Sequence, residues 1–224
     1  MMQLGVDFSQ HGGALEPVTV GRWLSRGVLY AIVQYSHRMP QHFDTLAAFP
    51  SMEPQAYVYL YFPLSEWNQT PEDRVASCID YIKASPVNNR LRYIWLDVEI
   101  PGLPTDSAAN TIAALLRCAK VVTDAGYLPG IYTSRSMWEK MCANSTVLSH
   151  LPLWDALHID DLTPPHTELG LAGYGGWGKH YIWQYHDTVT FEGHSVDLNL
   201  RESDTAPVPT PPVWSKEAAI DAHS

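Results

Sequence analysis

Two carboxylates two residues apart, Asp97 and Glu99, close the apolar run Arg-Tyr-Ile-Trp-Leu-Asp-Val-Glu-Ile at 92–100. Successive side chains on a strand point to opposite faces, so Asp97 and Glu99 share one face and Val98 takes the other. Pro101 and Gly102 then stop the strand. Two acids on one face at the mouth of a buried strand are costly to ionise together, because each raises the proton affinity of the other. Such a pair suits acid–base chemistry, with one carboxyl holding its proton while a neighbour ionises. Solvated acids at a strand end are the plainer alternative.

The elements that must position this pair follow from the pattern of apolar runs. Strands are predicted near residues 5, 31, 58, 95, 130, 154, 183 and 196. Helices are predicted at Pro17 to Arg26, around Phe43 to Phe49, at Pro71 to Ala84, from Thr105 or Asp106 to about Ala125, and over Ser136 to Cys142. The third has Thr70 as N-cap and acids in its first turn, and Gly126 stops the fourth. Strands alternating with helices argue for right-handed βαβ units and a parallel sheet. The expected fold class is α/β, a TIM-like (β/α) barrel of about eight strands with fewer than eight helices. An open doubly wound sheet is the rival, but Gly12-Gly13 does not form the phosphate-cradling loop that would give it interest.

In a closed barrel the strand ends form one face, where barrel active sites are built. Strand one neighbours strand eight, so Asp7 and Asp197 join Asp97 and Glu99 in one acidic pocket. Tyr59, Tyr61, Tyr132, Trp154 and Trp183 stand near the same rim, and aromatic faces suit sugar rings. The arrangement fits glycoside cleavage. Hard oxygen ligands could instead hold a divalent metal, and a lone Asp7 or Asp197 could simply cap a loop. The expectation is acid catalysis with no metal and no cofactor.

Composition bounds the alternatives. With 46% hydrophobic and 17% charged residues over 224 positions, the chain can bury a sizeable core. Fourteen basic residues against 24 acidic ones, with no Lys/Arg cluster, leave no electrostatic footprint for nucleic acid. Cys78, Cys118 and Cys142 are an odd number without close spacing, which argues against a disulfide framework or zinc and for core thiols in a reducing compartment. No signal peptide and no membrane span is read. Residues 1–203 are expected to form the barrel and 204–224 a Pro-rich tail, a semi-rigid linker whose partner is unknown.

Taken together, the residues resemble a known family. Gly5-Val6-Asp7-Phe8-Ser9, Leu96-Asp97-Val98-Glu99, Ala125-Gly126-Tyr127-Leu128-Pro129-Gly130-Ile131-Tyr132-Thr133, Leu153-Trp154, Ile182-Trp183-Gln184-Tyr185 and Val196-Asp197-Leu198-Asn199 are similar to the motifs of glycoside hydrolase family 25, in that family's order. These are muramidase-type lysozymes of bacteria, fungi and phages. The resemblance implies a barrel with some helices missing and cleavage of the β-1,4 bond after N-acetylmuramic acid in peptidoglycan. It implies Glu99 as general acid, Asp97 as the partner that orients the acetamido group or steadies positive charge, and Asp7 and Asp197 as the rest of the acidic pocket. Glycan strands of the bacterial wall would be the partner, reached by a phage lytic or virion-associated route. The second strand, Ala31 to Ser36, departs from the family, as do Leu60 (where a histidine is common) and the long loop from Leu157 to Gly178. These departures motivate the alternative of a catalytically weak or silent barrel with a virion-structural or glycan-binding role.

Overall fold

Every expected strand forms, and in the expected order. They are β1 (Met2–Phe8), β2 (Val28–Gln34), β3 (Glu53–Tyr59), β4 (Tyr93–Asp97), β5 (Leu128–Thr133), β6 (Leu153–Ala156), β7 (Ile182–Phe191) and β8 (His194–Glu202). In the computed structural model, which describes residues 2–60, 69–99, 106–159 and 172–202, they close into one barrel. Among the described residues five α-helices link the first six strands: α1 (Pro17–Ser25), α2 (Met39–Ala47), α3 (Pro71–Ala84), α4 (Ala108–Asp124) and α5 (Arg135–Cys142). Tyr61 and the tail from 204 lie outside the described residues, as does much of the loop before Gly178.

Local chemistry sets the helix ends. The Thr70 side chain accepts from the Asp73 N–H, with Pro71 in the first turn, as its sequence requires. The fourth helix starts later than expected. Ser107, not Thr105 or Asp106, caps α4 by accepting from the Asn110 N–H. The second helix starts earlier, at Met39, because Pro40 fits a first turn where no N–H partner is needed. Gly126 ends the α4 turn at φ +91°, a conformation glycine adopts freely.

Side chains alternate across the barrel wall into two cores. Val6, Phe8, Ile94, Leu96, Val98 and their neighbours face outward beneath the helices. Tyr30, Tyr57, Tyr93, Trp95, Tyr132 and Trp154 face inward and fill the barrel with rings. Glycines make room for them: a Cβ on Gly5 would sit 2.1 Å from the Tyr30 ring, and one on Gly130 would sit 2.3 Å from the Trp95 ring. The three cysteines are buried and free. No helix among the described residues is long and apolar enough to cross a membrane.

The sheet is not wholly parallel. Strands β1 to β7 run parallel, but β8 pairs antiparallel with both β7 and β1 and closes the barrel. The short link Glu192–Gly193 leaves no length for a crossover helix, so β7 and β8 form a hairpin. This corrects the expected position of Asp197. It does not end strand eight; it lies in the first half of β8, which enters the barrel from the mouth. Its register partner is Asp7.

Candidate active site

A cavity of about 660 Å³ opens at the C-terminal ends of the parallel strands, and Asp7, Asp97, Glu99 and Asp197 all line it. Inward positions on β4 are Tyr93, Trp95 and Asp97, with Ile94 and Leu96 turned outward. Strand geometry persists past Asp97. The Val98 N–H donates to the Tyr132 carbonyl (2.9 Å) and the Thr133 hydroxyl donates to the Val98 carbonyl (2.9 Å). Val98 is therefore held in the outer core and Glu99 is returned to the face of Asp97, as strand periodicity requires.

Asp7 and Asp197 face one another across the β1–β8 pair. Asp7 is buried, and its Oδ2 accepts from Asn199 Nδ2 (2.7 Å) and Gln184 Nε2 (3.0 Å). Burial first, and then the charge of Asp197, nevertheless hold its proton affinity well above the ordinary range. Asp197 is less buried. Its Oδ1 accepts from the Thr188 N–H (2.6 Å) and its Oδ2 from Gln184 Nε2 (3.2 Å). Burial raises its pKa too, and the Thr188 N–H opposes that rise. Asp7 thus keeps the proton of this pair, and Asp197 is the better placed to ionise.

The Thr188 N–H reaches Asp197 because β7 bulges. Asp187 and Thr188 together oppose the one residue Asp197 between the His186–Leu198 and Val189–Val196 pairs. Thr188 takes φ +44° to do so, unusual for a β-branched residue.

The β4 acids are poised differently. Asp97 is 3% exposed, its Oδ1 has no hydrogen-bond partner among the described residues, and burial, Glu99 and Asp7 all raise its pKa well above the usual value. Glu99 is only partly buried. Burial raises its pKa, while the Tyr132 hydroxyl and the charge of His158 pull it down. Of the β4 acids, Glu99 combines a raised proton affinity with access to the cavity.

The aromatic expectations divide. Tyr59, Tyr132 and Trp154 line the cavity. The Tyr132 hydroxyl donates to Gln184 Oε1 (2.9 Å) and the Trp154 indole N–H to Asn199 Oδ1 (2.8 Å). Trp183 does not belong to the site. Ile182 and Gln184 are the inward residues of β7, so Trp183 points into the outer layer and donates to the Leu157 carbonyl (2.6 Å). Period-two parity, applied to β7 as it was to β4, forbids both Trp183 and Gln184 from facing the cavity.

Several polar groups escaped sequence reasoning. Gln184 and Asn199 are neutral amides with no charge pattern to mark them, and each touches Asp7. Tyr57 lines the wall beside Tyr59, and its place two residues before Tyr59 was the available signal. His11 from the turn after β1, Gln34 from the end of β2 and Arg74 from α3 complete the rim. Among the described residues no group of three or more His, Cys, Asp or Glu is arranged to hold a metal ion.

The family model for lysozyme-like protein 1 matches residues 32–185. Probable GH family 25 lysozyme 3 of Dictyostelium discoideum is 32% identical over 114 residues, covering 50% of this chain and 23% of that one. The chain spans less than two thirds of the length of the curated relatives it matches. The catalytic domain of endolysin ply40, from bacteriophage P40 of Listeria monocytogenes, superposes with a TM-score of 0.63 at 19% identity, covering 91% of this chain and 95% of that one. The modular Cpl-1 endolysin complexed with a peptidoglycan analogue gives 0.58 at 22% identity, covering 92% of this chain and 56% of that one. At such identities these two likenesses are of fold. By the breadth of the family match, the chain belongs to the lysozyme-like proteins of glycoside hydrolase family 25.

Proposed function

We propose that this protein is a peptidoglycan hydrolase that cleaves the β-1,4 bond between N-acetylmuramic acid and N-acetylglucosamine. The observation that carries the reading is the cavity itself. Four carboxyls line it, every one has a raised proton affinity, and Glu99 offers its proton to the open volume while Asp97 and Asp7 line it more deeply buried. Glu99 donates that proton to the glycosidic oxygen as the C–O bond breaks. Either the substrate's own N-acetyl oxygen or a water attacks the anomeric carbon, and Asp97 orients the acetamido group or steadies the positive charge. Asp197 supplies negative field around that charge, and Asp7, holding the proton of the pair, completes the acidic pocket. Burial, reinforced by the surrounding acids, keeps the phenols of Tyr57 and Tyr132 neutral, so both serve as hydroxyl donors. Tyr59, Tyr132 and Trp154 offer the apolar wall for sugar rings.

Release of reducing ends from purified peptidoglycan tests the reading, comparing wild type with Glu99→Gln, with and without chelator. Activity that collapses in the variant and ignores the chelator is expected. A wild type that binds several walls but cuts none would make the barrel a silent glycan-binding scaffold instead.

A further inference from the structure

The loop after β6 brings one histidine to the mouth of the acidic site. His158 Nε2 lies 2.9 Å from Gln184 Oε1, and its Nδ1 lies 3.8 Å from Asp187 Oδ2. Gln184 has all its hydrogen-bonding atoms engaged: its Nε2 donates to Asp7 and Asp197, and its Oε1 receives Tyr132 and His158. An ionised Asp197 only accepts, so the amide nitrogen must face the acids and the amide oxygen must face the phenol and the imidazole. That fixes the tautomer. His158 carries hydrogen on Nε2 in every protonation state, and a second proton goes to Nδ1, toward Asp187.

We propose that His158 is a positioning residue of the acidic site: through Gln184 it orients the amide that holds Asp7 and Asp197, and its Nδ1 can place a positive charge beside Asp187 at the mouth. The inference rests on the reading of the cavity as an acid-catalysed glycosidase site. The groups that act on His158 come from three strands. Gln184 and Asp187 lie on β7 and Asp197 on β8, while Glu99 follows β4. Asp187 raises the proton affinity of Asp197 and the His158 charge lowers it, so protonation at Nδ1 answers both acids at once. The same charge acts on Glu99, the proton donor.

Two variants separate the roles. His158→Gln keeps an N–H for Gln184 without a charge, and His158→Ala removes both. The side chain is 40% exposed, so both variants should fold. Carboxyl ¹³C titration of full-length protein labelled at Asp and Glu reads the charge directly. The midpoints of Glu99 and Asp197 are expected to rise by about half a pH unit in both variants, the size of a single charge acting through a partly solvated mouth. The Gln184 amide resonances are expected to move in His158→Ala and to hold in His158→Gln. Both limbs of the pH profile for wall hydrolysis should shift upward with the midpoints. Unchanged or falling midpoints overturn the charge role, and an unmoved Gln184 amide in His158→Ala overturns the orienting role. The titration needs no substrate, so a protein inactive on every wall would sink the proposed function while leaving this inference to its own measurement.

Discussion

The two ends of the barrel treat buried charge in opposite ways. At the floor, Arg201 is 2% exposed and forks onto Glu53, with Nη1 3.1 Å from Oε1 and Nη2 bonded to Oε2. Its Nε donates to Gln3 Oε1 (2.7 Å), and the guanidinium stacks 4.3 Å from the Tyr30 ring centroid. Burial works against the Glu53 carboxylate, yet Arg201 overrides it and leaves the pKa lowered. At the mouth, acids of the same sign share one cavity, Asp97 leaves an oxygen without a partner among the described residues, and every acid is pushed up. Burial disfavours the charged carboxylate at both ends. What differs is the sign of the neighbour, and it decides whether a buried carboxyl supports the fold or is held ready to react.

The largest expected effect breaks the mouth chemically. Glu99→Gln should lower wall hydrolysis by about 10²–10⁴-fold, the usual worth of a general acid, with thermal stability kept or improved. Reducing-end assays and a melting curve together check it. Arg201→Met breaks the floor instead. It leaves the half-buried Glu53 without its cation, and should cost about 1–3 kcal/mol in urea unfolding with turnover per folded molecule intact. Adding Glu53→Leu should recover most of that loss. If turnover falls with either change, the two ends are coupled and the comparison fails.

Asp97→Asn sharpens the contrast by trading function for stability. It removes a charge whose burial is uncompensated, so it should stabilise the protein at neutral pH on the order of 1 kcal/mol while cutting activity. The pH dependence gives the sign. A carboxyl with a raised pKa binds its proton more tightly folded than unfolded, so its contribution is full below the unfolded value and is lost as pH rises through the folded one. An aspartate ordinarily titrates at 3.8, so the advantage of Asp97→Asn should vanish near pH 3 and grow toward neutrality. Glu53 runs the other way. Its pKa is lowered from 4.5, so its contribution is present above that value and is lost as pH falls through the folded one. Urea titrations of Asp97→Asn and Glu53→Gln from pH 3 to 7 should therefore give slopes of opposite sign. The smallest effect concerns the bulge. Thr188→Asn suits a positive φ better and should add roughly 0.5 kcal/mol of stability, readable as a small rise in the urea midpoint.

Much of this was legible in local pattern. The eight strands, the capped α3 and the shared face of Asp97 and Glu99 all follow from hydrophobic period and turn residues, which act over a few positions. Trp183 was misjudged although parity was available, because an aromatic residue beside a motif drew more weight than the face it must occupy. Gln184, Asn199 and His158 were not legible. Neutral amides carry no charge signature, and a loop histidine takes its meaning from strands that meet only in the closed barrel.

By itself the sequence determined which residues could do chemistry and which strand carries each, because period and capping are properties of the local chain. The short Glu192–Gly193 link turns β8 antiparallel, and tertiary structure alone decided that Asp197 then meets Asp7 from the mouth rather than from a strand end. It also decided the proton affinities. Those depend on burial and on charges brought close by barrel closure, from residues as far apart in the chain as Asp7 and Asp197, and no local pattern encodes a distance across a cavity.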